Sequence, residues 1–450
     1  MNRILSLLLA CAVGLSLLSG CSAGQTSAGS SSPEYIPSCD GFPAAPPSLL
    51  WNPESDLIEP EFNTGSLPTM PVNSFGLELL KQARTANGER AMESEWDHVP
   101  FSTLVSPLSV FLSLSLLSNG ADENTQAQLL DVLAGGATID DLNANCSDFM
   151  SEYQGLRGSS QCRIANSLWI NFGSGLQDQF VAQCRGVYSA QAYSAELSDP
   201  RTVDDINNWV FDKTGGLISQ LIDQPFDPDT ALVLANALYL KNQWTVEFDP
   251  LSTHEMVFHH VGGSDGRVEY LQHFDMELPY IRGEGVQGVV LPYDDGRLAF
   301  FALLPDEPSG LGDWLNTLDG DALDQLLNSR EDTMFLRLAL PKFEAQWKGD
   351  LADILSALGL EDAFDPAKAN FSQLGNDPNG YYIGQVVHAA KIEINEKGTE
   401  AAAATAVPME PTSMPPEEKK EGVTLILDRP FLYGIVDLYT NLPLFLGTYE

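Results

Sequence analysis

An α+β fold is the class this sequence predicts, and three observations lead to it. Helix-type patterning is concentrated early in the chain, strand-type runs late, and no alternation of strand and helix joins them. Of the 450 residues, 44% are hydrophobic, which is ample for a sizeable core. That length admits two or three domains or one large fold.

The first predicted helix covers 72–90. Phe75, Leu77, Leu79, Leu80 and Ala83 give it an apolar face, and Asn87-Gly88 marks its stop. A second helix, Leu108 to Leu117, is apolar almost all round and therefore buried. Gly120-Ala121-Asp122 ends it, and Asn124 to Leu133 begins the next.

Strand-like runs follow at Arg163 to Ile170 and Ala231 to Leu240. Gly288 to Tyr293 and Leu298 to Leu304 flank Asp294-Asp295-Gly296-Arg297, a hairpin turn. Met334 to Pro341 reads as a strand, Leu351 to Leu358 as a helix, and Val386 to Asn395 as a strand. Val423 to Leu427 and Leu432 to Leu438 close the chain as buried strands.

The N-terminus reads as a targeting segment. Arg3 precedes an apolar stretch, Ile4 to Leu18, too short to span a bilayer. Leu18-Ser19-Gly20-Cys21 resembles the bacterial lipoprotein cleavage box, so residues 1–20 are expected to be a lipoprotein signal peptide. Cleavage would free Cys21 to carry a diacylglycerol, and several acyl chains on one residue anchor firmly. A plain secretory signal is the alternative. Residues 21–70 are then a tether and N-terminal extension. Residues 22–33 are flexible by composition, and 34–70, proline-rich with little periodicity, are expected either to drape over the body or to stay disordered. The expected location is the bacterial cell envelope or surface, on the exported side.

Composition narrows the partners. With 62 acidic against 23 basic side chains the formal charge is −39, which argues against nucleic acid or heparin-like polyanions. After removal of the leader, Cys39, Cys146, Cys162 and Cys184 remain besides Cys21. Export permits disulfides, four cysteines allow three pairings, and buried free thiols are an equal reading.

Enzyme motifs do not cohere. His254-Glu255-Met256-Val257-Phe258-His259 superficially suggests zinc, but the metalloprotease pattern needs its second histidine where Phe258 stands, and the region reads as strand. Gly263-Ser264-Asp265-Gly266 is a turn without the spacing of a nucleophile elbow. No metal and no cofactor is expected.

Residues 396–405, Glu-Lys-Gly-Thr-Glu-Ala-Ala-Ala-Ala-Thr, are the most informative stretch. As a strand they would point Thr399, Ala401, Ala403 and Thr405 to one side and Glu400, Ala402 and Ala404 to the other. The residues of the first set are small enough to slide beneath packed helices. Such a segment can live as a loop or enter a sheet.

This decapeptide resembles the proximal hinge of serpins, the serine-protease-inhibitor family. Leu425 to Ile435 fits that family's C-terminal signature, Ser106-Pro107-Leu108-Ser109-Val110 resembles its buried helix start, and Leu234 to Trp244 resembles the strand-and-tryptophan segment under the top of its main sheet. Ile206 to Val210 with Thr214-Gly215-Gly216 resembles the helix lying across that sheet. The similarity is collinear from about Pro71 to the end.

The resemblance implies a serpin domain over 71–450. Its helices pack around three mainly antiparallel β-sheets, with an exposed reactive-centre loop at about 396–420. It implies a monomer that is not an enzyme. The hinge comprises Glu396, Gly398, Thr399, Glu400, Ala401, Ala402, Ala403, Ala404 and Thr405, and the spacing from Glu396 puts the reactive bond at Thr412-Ser413. Met409-Glu410 is the second candidate; proline after the bond disfavours Met414-Pro415 and Glu410-Pro411. A threonine before the bond suits serine proteases of the elastase or subtilisin kind, with cysteine proteases as a further class of target. A cut loop would insert as a strand and carry the acylated protease with it; sixteen residues at about 3.3 Å each span roughly 50 Å. Pro408 and Pro411 depart from the pattern, because proline is disfavoured inside a central strand. Ser106, Ser109, Asn236 and His388 match the family's shutter, a buried polar network that parts for insertion. Trp244 and Tyr293 read as core. The heparin-binding helix of some members corresponds to the acidic stretch Ile139 to Asn145, so heparin is not an expected ligand.

Overall fold

The computed structural model describes residues 48–51, 71–93, 102–154, 156, 160–172, 174–228, 230–308, 310–376, 380–399 and 422–450. Strand β1 is Ser48–Trp51 and helix α1 is Val72–Glu93. Of the stretch 34–70, Ser48–Trp51 does lie on the body, where it pairs antiparallel with a later strand, Gln191–Ala195. An edge strand with unpaired backbone groups accepts such an addition readily. The stop predicted at Asn87-Gly88 does not occur, and α1 runs on to Glu93. Asn87 is held on the helix by tertiary partners instead: its amide donates to Thr103 at 3.0 Å and its carbonyl accepts from the Trp347 indole at 3.1 Å.

Strand β2 (Thr103–Val105) leads into α2 (Pro107–Ser118), every residue of which is buried. Proline at its first turn fits the fixed φ and the missing N–H. Helices α3 (Glu123–Ala134) and α4 (Ile139–Gln154) follow. Next come β3 (Gln161–Asn171), β4 (Gly175–Leu176), α5 (Asp178–Gly186), β5 (Gln191–Ala195) and α6 (Pro200–Lys213). After α6, Gly215 and Gly216 take positive φ and end the helix.

From β6 (Leu232–Gln243) onward strands dominate: β7 (His254–His259), β8 (Asp265–Gly283), β9 (Val286–Pro292) and β10 (Leu298–Pro305). The hairpin predicted at Asp294–Arg297 joins β9 to β10. Gly296 has a φ of +71°, and the Asp295 carboxylate accepts from the N–H groups of Arg297 and Leu298 at 2.7 and 2.8 Å. The predicted strand at His254–His259 is also found. Helices α7 (Leu311–Thr317) and α8 (Gly320–Asn328) precede β11 (Glu331–Pro341), β12 (Phe343–Asp350), α9 (Ala352–Ala357) and α10 (Glu361–Phe364). The chain closes through β13 (Gly375–Asn376), β14 (Ile383–Asn395), β15 (Gly398–Thr399), β16 (Val423–Ile426), β17 (Phe431–Asp437) and β18 (Pro443–Tyr449). The expectation that the strand beginning at Val423 is buried needs correction. Leu425 is buried while Thr424 and Ile426 are exposed, the alternation of an outermost strand with one covered face.

Among the described residues the strands form three sheets. A seven-stranded sheet has the order β1-β5-β3-β6-β15-β14-β12, a nine-stranded sheet the order β16-β11-β8-β9-β10-β17-β18-β2 with β7 beside β8, and β13 pairs with β4. Pairing is antiparallel except at β3–β5, β6–β14 and β11–β16. Cys146, Cys162 and Cys184 are buried free thiols, so the reading without bridges holds for these three. Cys39 and Cys21 lie outside the described residues.

The period of two along β6 sets what each face of the seven-stranded sheet touches. Leu232, Leu234, Leu238 and Leu240 join the main core with α2, whereas Val233, Ala235 and Ala237 join a second cluster under α6. On β14 the same division sends Val386, Ala390, Ile392 and Ile394 to the main core and Val387 and Ala389 to the second cluster.

Candidate functional site

The site lies where β14 turns back on itself. Strand β15 follows β14 after Glu396-Lys397 and enters the sheet between β14 and β6. Asn395 pairs with Gly398 and Ile394 with Thr399 on one side; Gln243 pairs with Gly398 and Asn242 with Thr399 on the other. Both pairings are antiparallel. Lower down, β6 and β14 pair with each other directly and in parallel, from Leu232↔Ile383 to Ala237↔Ala389. Any strand that prolonged β15 down this seam would be antiparallel to both neighbours, exchanging one parallel ladder for two slightly stronger antiparallel ones.

Gly398 has a φ of +153°, and a Cβ there would stand 2.0 Å from the Asn242 carbonyl oxygen. Only glycine fits so close a backbone approach. Thr399 is fully buried, and its hydroxyl is hydrogen-bonded to that of Tyr293. Burial pushes the Tyr293 phenol well up, so it stays protonated. The Tyr293 ring stacks on Trp244 with centroids 4.7 Å apart. Trp244 in turn donates its indole N–H to the Asn395 carbonyl and its backbone N–H to the Lys397 carbonyl, each at 2.9 Å.

Glu396 fixes the turn. Its carboxylate accepts from Thr253 at 3.0 Å and Lys342 at 3.1 Å, and its carbonyl accepts from Phe248 N–H at 2.8 Å. Burial pushes this carboxyl up, but its own backbone N–H, Lys342 and Thr253 together outweigh burial and hold it below its ordinary value. Lys342 also stands 3.7 Å from Glu269. Burial disfavours its charge, yet the bond to Glu396 and the two carboxylates raise it above its ordinary value.

The four predicted shutter residues are brought together beneath the seam. Asn236 on β6 and His388 on β14 are directly paired across it. The Ser109 hydroxyl donates to the Asn236 carbonyl, and the Ser106 N–H donates to His388 Nε2 at 3.1 Å. Ser106 also donates its hydroxyl to the Leu444 carbonyl at 2.8 Å. Two members absent from the sequence reading complete the network: Asn166 on β3 accepts from Asn236 at 2.7 Å and from Ser113 at 2.8 Å. Desolvation pushes His388 down to about 3, so it accepts as a neutral ring.

Sequence reasoning placed Trp244 and Tyr293 in the core; they are buried and they also hold the hinge. Lys342 and Thr253 carried no sequence signal, because each meets Glu396 only through the register of distant strands. Of the predicted hinge, Glu396, Gly398 and Thr399 are described; Glu400, Ala401, Ala402, Ala403, Ala404 and Thr405 lie outside the described residues. So do the reactive bond Thr412-Ser413, the alternative Met409-Glu410, Pro408, Pro411 and the lipidation residue Cys21.

Comparison with known proteins agrees with this geometry. The family model described as serpin (serine protease inhibitor) matches residues 72–450. Serpin A3-1 of Bos taurus is 33% identical over 379 residues, covering 83% of this chain and 86% of the relative. Serpin-Z1A of Triticum aestivum is 30% identical over 356 residues, covering 76% and 88% respectively. The crystal structure of tengpin, a thermophilic serpin, in the native state matches with a TM-score of 0.77 and 31% identity over 90% of this chain and 99% of that one. Tengpin in the latent state matches with a TM-score of 0.69 over 84% and 96%.

Proposed function

The chain belongs to the serpin family, and from that premise we propose that it inhibits serine-type endopeptidases by suicide cleavage and strand insertion. The observation that carries this reading is the hinge itself: Gly398 and Thr399 already stand between β6 and β14, antiparallel to both. Lower down, from Ala237 and Ala389 onward, those strands pair with one another. The sheet thus has a strand position that is begun and not filled. Filling it adds ladder hydrogen bonds worth roughly 0.5–1.5 kcal/mol each, together with apolar burial. The uncut protein is on this reading metastable, and cleavage releases the difference. The inhibitor is consumed by the event and does not turn over.

The finer assignments rest on sequence. Thr412-Ser413 is the bond cut, elastase-like or subtilisin-like serine proteases are the targets, and cysteine proteases are a further class. The signal peptide and Cys21 place the protein, lipid-anchored, at the bacterial cell envelope. It acts as a monomer without cofactor, and its charge of −39 disfavours heparin and nucleic acid.

The test is to mix the protein with an elastase-like and a subtilisin-like protease. An SDS-stable covalent complex, with the released C-terminal peptide beginning at Ser413, is the expected result. Nicking of the loop should raise the melting temperature sharply. Cleavage with neither complex nor stabilisation would leave a serpin-fold binding or structural protein.

A further inference from the structure

Helix α6 and the segment after it form a cover over the seam between β6 and β14. Asn207 fastens the two parts of this cover together: its side chain accepts from the N–H groups of Leu221 and Ile222 at 2.7 and 2.9 Å and donates to the Ile222 carbonyl at 2.9 Å. Thr214 adds a bond from Ile218 N–H at 3.1 Å. Ile206, Val210, Ile218 and Ile222 then pack on β6 and on Val387 and Ala389 of β14, across the seam.

The attachment of this cover is one-sided. The chain enters it from β5 and leaves it into β6, both on one side of the seam. Strands β14 and β12 lie on the other side and reach it only through non-covalent contacts. One of these is ionic: Lys348 on β12 stands 3.1 Å from the Asp223 carboxylate of the cover. Lys348 pairs with Ala389, at the level where β6 and β14 are still joined.

We propose that the Lys348–Asp223 pair is a latch across the seam that sets the rate at which the sheet accepts a new strand. This rests on the insertion mechanism proposed above and adds a kinetic control to it. A strand entering between β6 and β14 must push β14 and β12 away from β6. The cover is tied to the β6 side by the chain itself, so the same movement separates Lys348 from Asp223. The lysine is 37% exposed and the aspartate 61%, so the pair contributes little at equilibrium. Its effect falls on the barrier, where the contact is broken before the new ladder has formed.

The test follows a synthetic peptide of residues 399–412, fluorescently labelled, as it anneals to the intact full-length protein. No protease takes part, so the outcome does not depend on inhibition. Lys348→Glu and Asp223→Lys should each speed annealing about three- to tenfold at low salt, by turning attraction into repulsion. The exchanged pair, Lys348→Glu with Asp223→Lys, should return to within about twofold of the unaltered protein, and high salt should level all four. Equal rates in all four proteins overturn the latch while leaving insertion intact. So does acceleration that the exchanged pair fails to reverse. A peptide that anneals to none of them overturns the insertion mechanism and the latch together.

Discussion

Tyr293 and Thr399 share a hydrogen bond between their hydroxyl groups, although 106 residues separate them in the chain. It closes a short path from the hinge to the aromatic stack of Tyr293 on Trp244, and Trp244 binds the backbone of Asn395 and Lys397 on the other side of the turn. The first residue of the hinge to face the core is thereby seated before any cut is made.

Thr399→Arg tests whether that seat is required. The threonine is fully buried, and a guanidinium in its place would lose its water without gaining a partner. The expected outcome is an intact, folded protein that is cut as a substrate, with the stoichiometry of inhibition raised at least about tenfold as the lost partition energy reaches about 1.4 kcal/mol. Titration of a fixed amount of protease measures it; undiminished trapping would refute the insertion account.

Gly398→Ala acts one residue earlier and through the backbone. An added Cβ meets the Asn242 carbonyl oxygen at 2.0 Å, and the φ of +153° is strained for any other residue. A cost of about 1–3 kcal/mol should expel the hinge from the top of the sheet. Amide exchange at Thr399 and Trp244 should then accelerate, since Trp244 N–H bonds the neighbouring Lys397 carbonyl.

Tyr293→Phe removes one hydroxyl and keeps the ring stacked on Trp244. The buried Thr399 hydroxyl is left without this partner, so a loss of about 1 kcal/mol is expected in urea unfolding. Trp244 fluorescence, which reports the stack, should stay close to that of the unaltered protein.

Acid should weaken the shutter through His388. Burial lowers its folded-state value from 6.5 to about 3, so the unfolded chain binds the proton more tightly. The stability it contributes is complete above pH 6.5 and is lost as pH falls from there toward about 3. The slope approaches about 1.4 kcal/mol per pH unit within that window. Because Nε2 accepts from Ser106 N–H, protonation also removes an acceptor. Between pH 7 and pH 5 the unaltered protein should lose about 2 kcal/mol more than His388→Gln, whose side-chain carbonyl can still accept. Parallel urea midpoints for the two across that range would exclude the histidine as the source.

Local patterns made part of the fold legible. Helix α2 reads as buried because Leu108 to Leu117 is apolar all round, and the β9–β10 hairpin reads from Asp294–Arg297 between two apolar runs. Strand β12 carries the alternation of Phe343, Ala345 and Trp347 with Glu344, Gln346 and Lys348, but its importance to the seam lies in its partner β14. The end of α1 is not legible at Asn87-Gly88, because Asn87 serves Thr103 and Trp347 rather than a turn. At the site, small residues marked the hinge and the motif match marked four shutter residues. Asn166 and Lys342 are defined only by what they touch.

The sequence alone determined that a run of small, alternating residues follows a strand, that one of them is a glycine, and that polar residues recur on otherwise apolar segments. Each is a short-range property, set by side-chain size and the period of the backbone. Only the tertiary structure decided that Gly398 and Thr399 occupy the sheet, that Tyr293 holds Thr399 and Lys342 holds Glu396, and that Lys348 meets Asp223. Those pairings follow from the register of strands far apart in the chain. That register is fixed by core contacts summed over whole sheets, so no single segment encodes it.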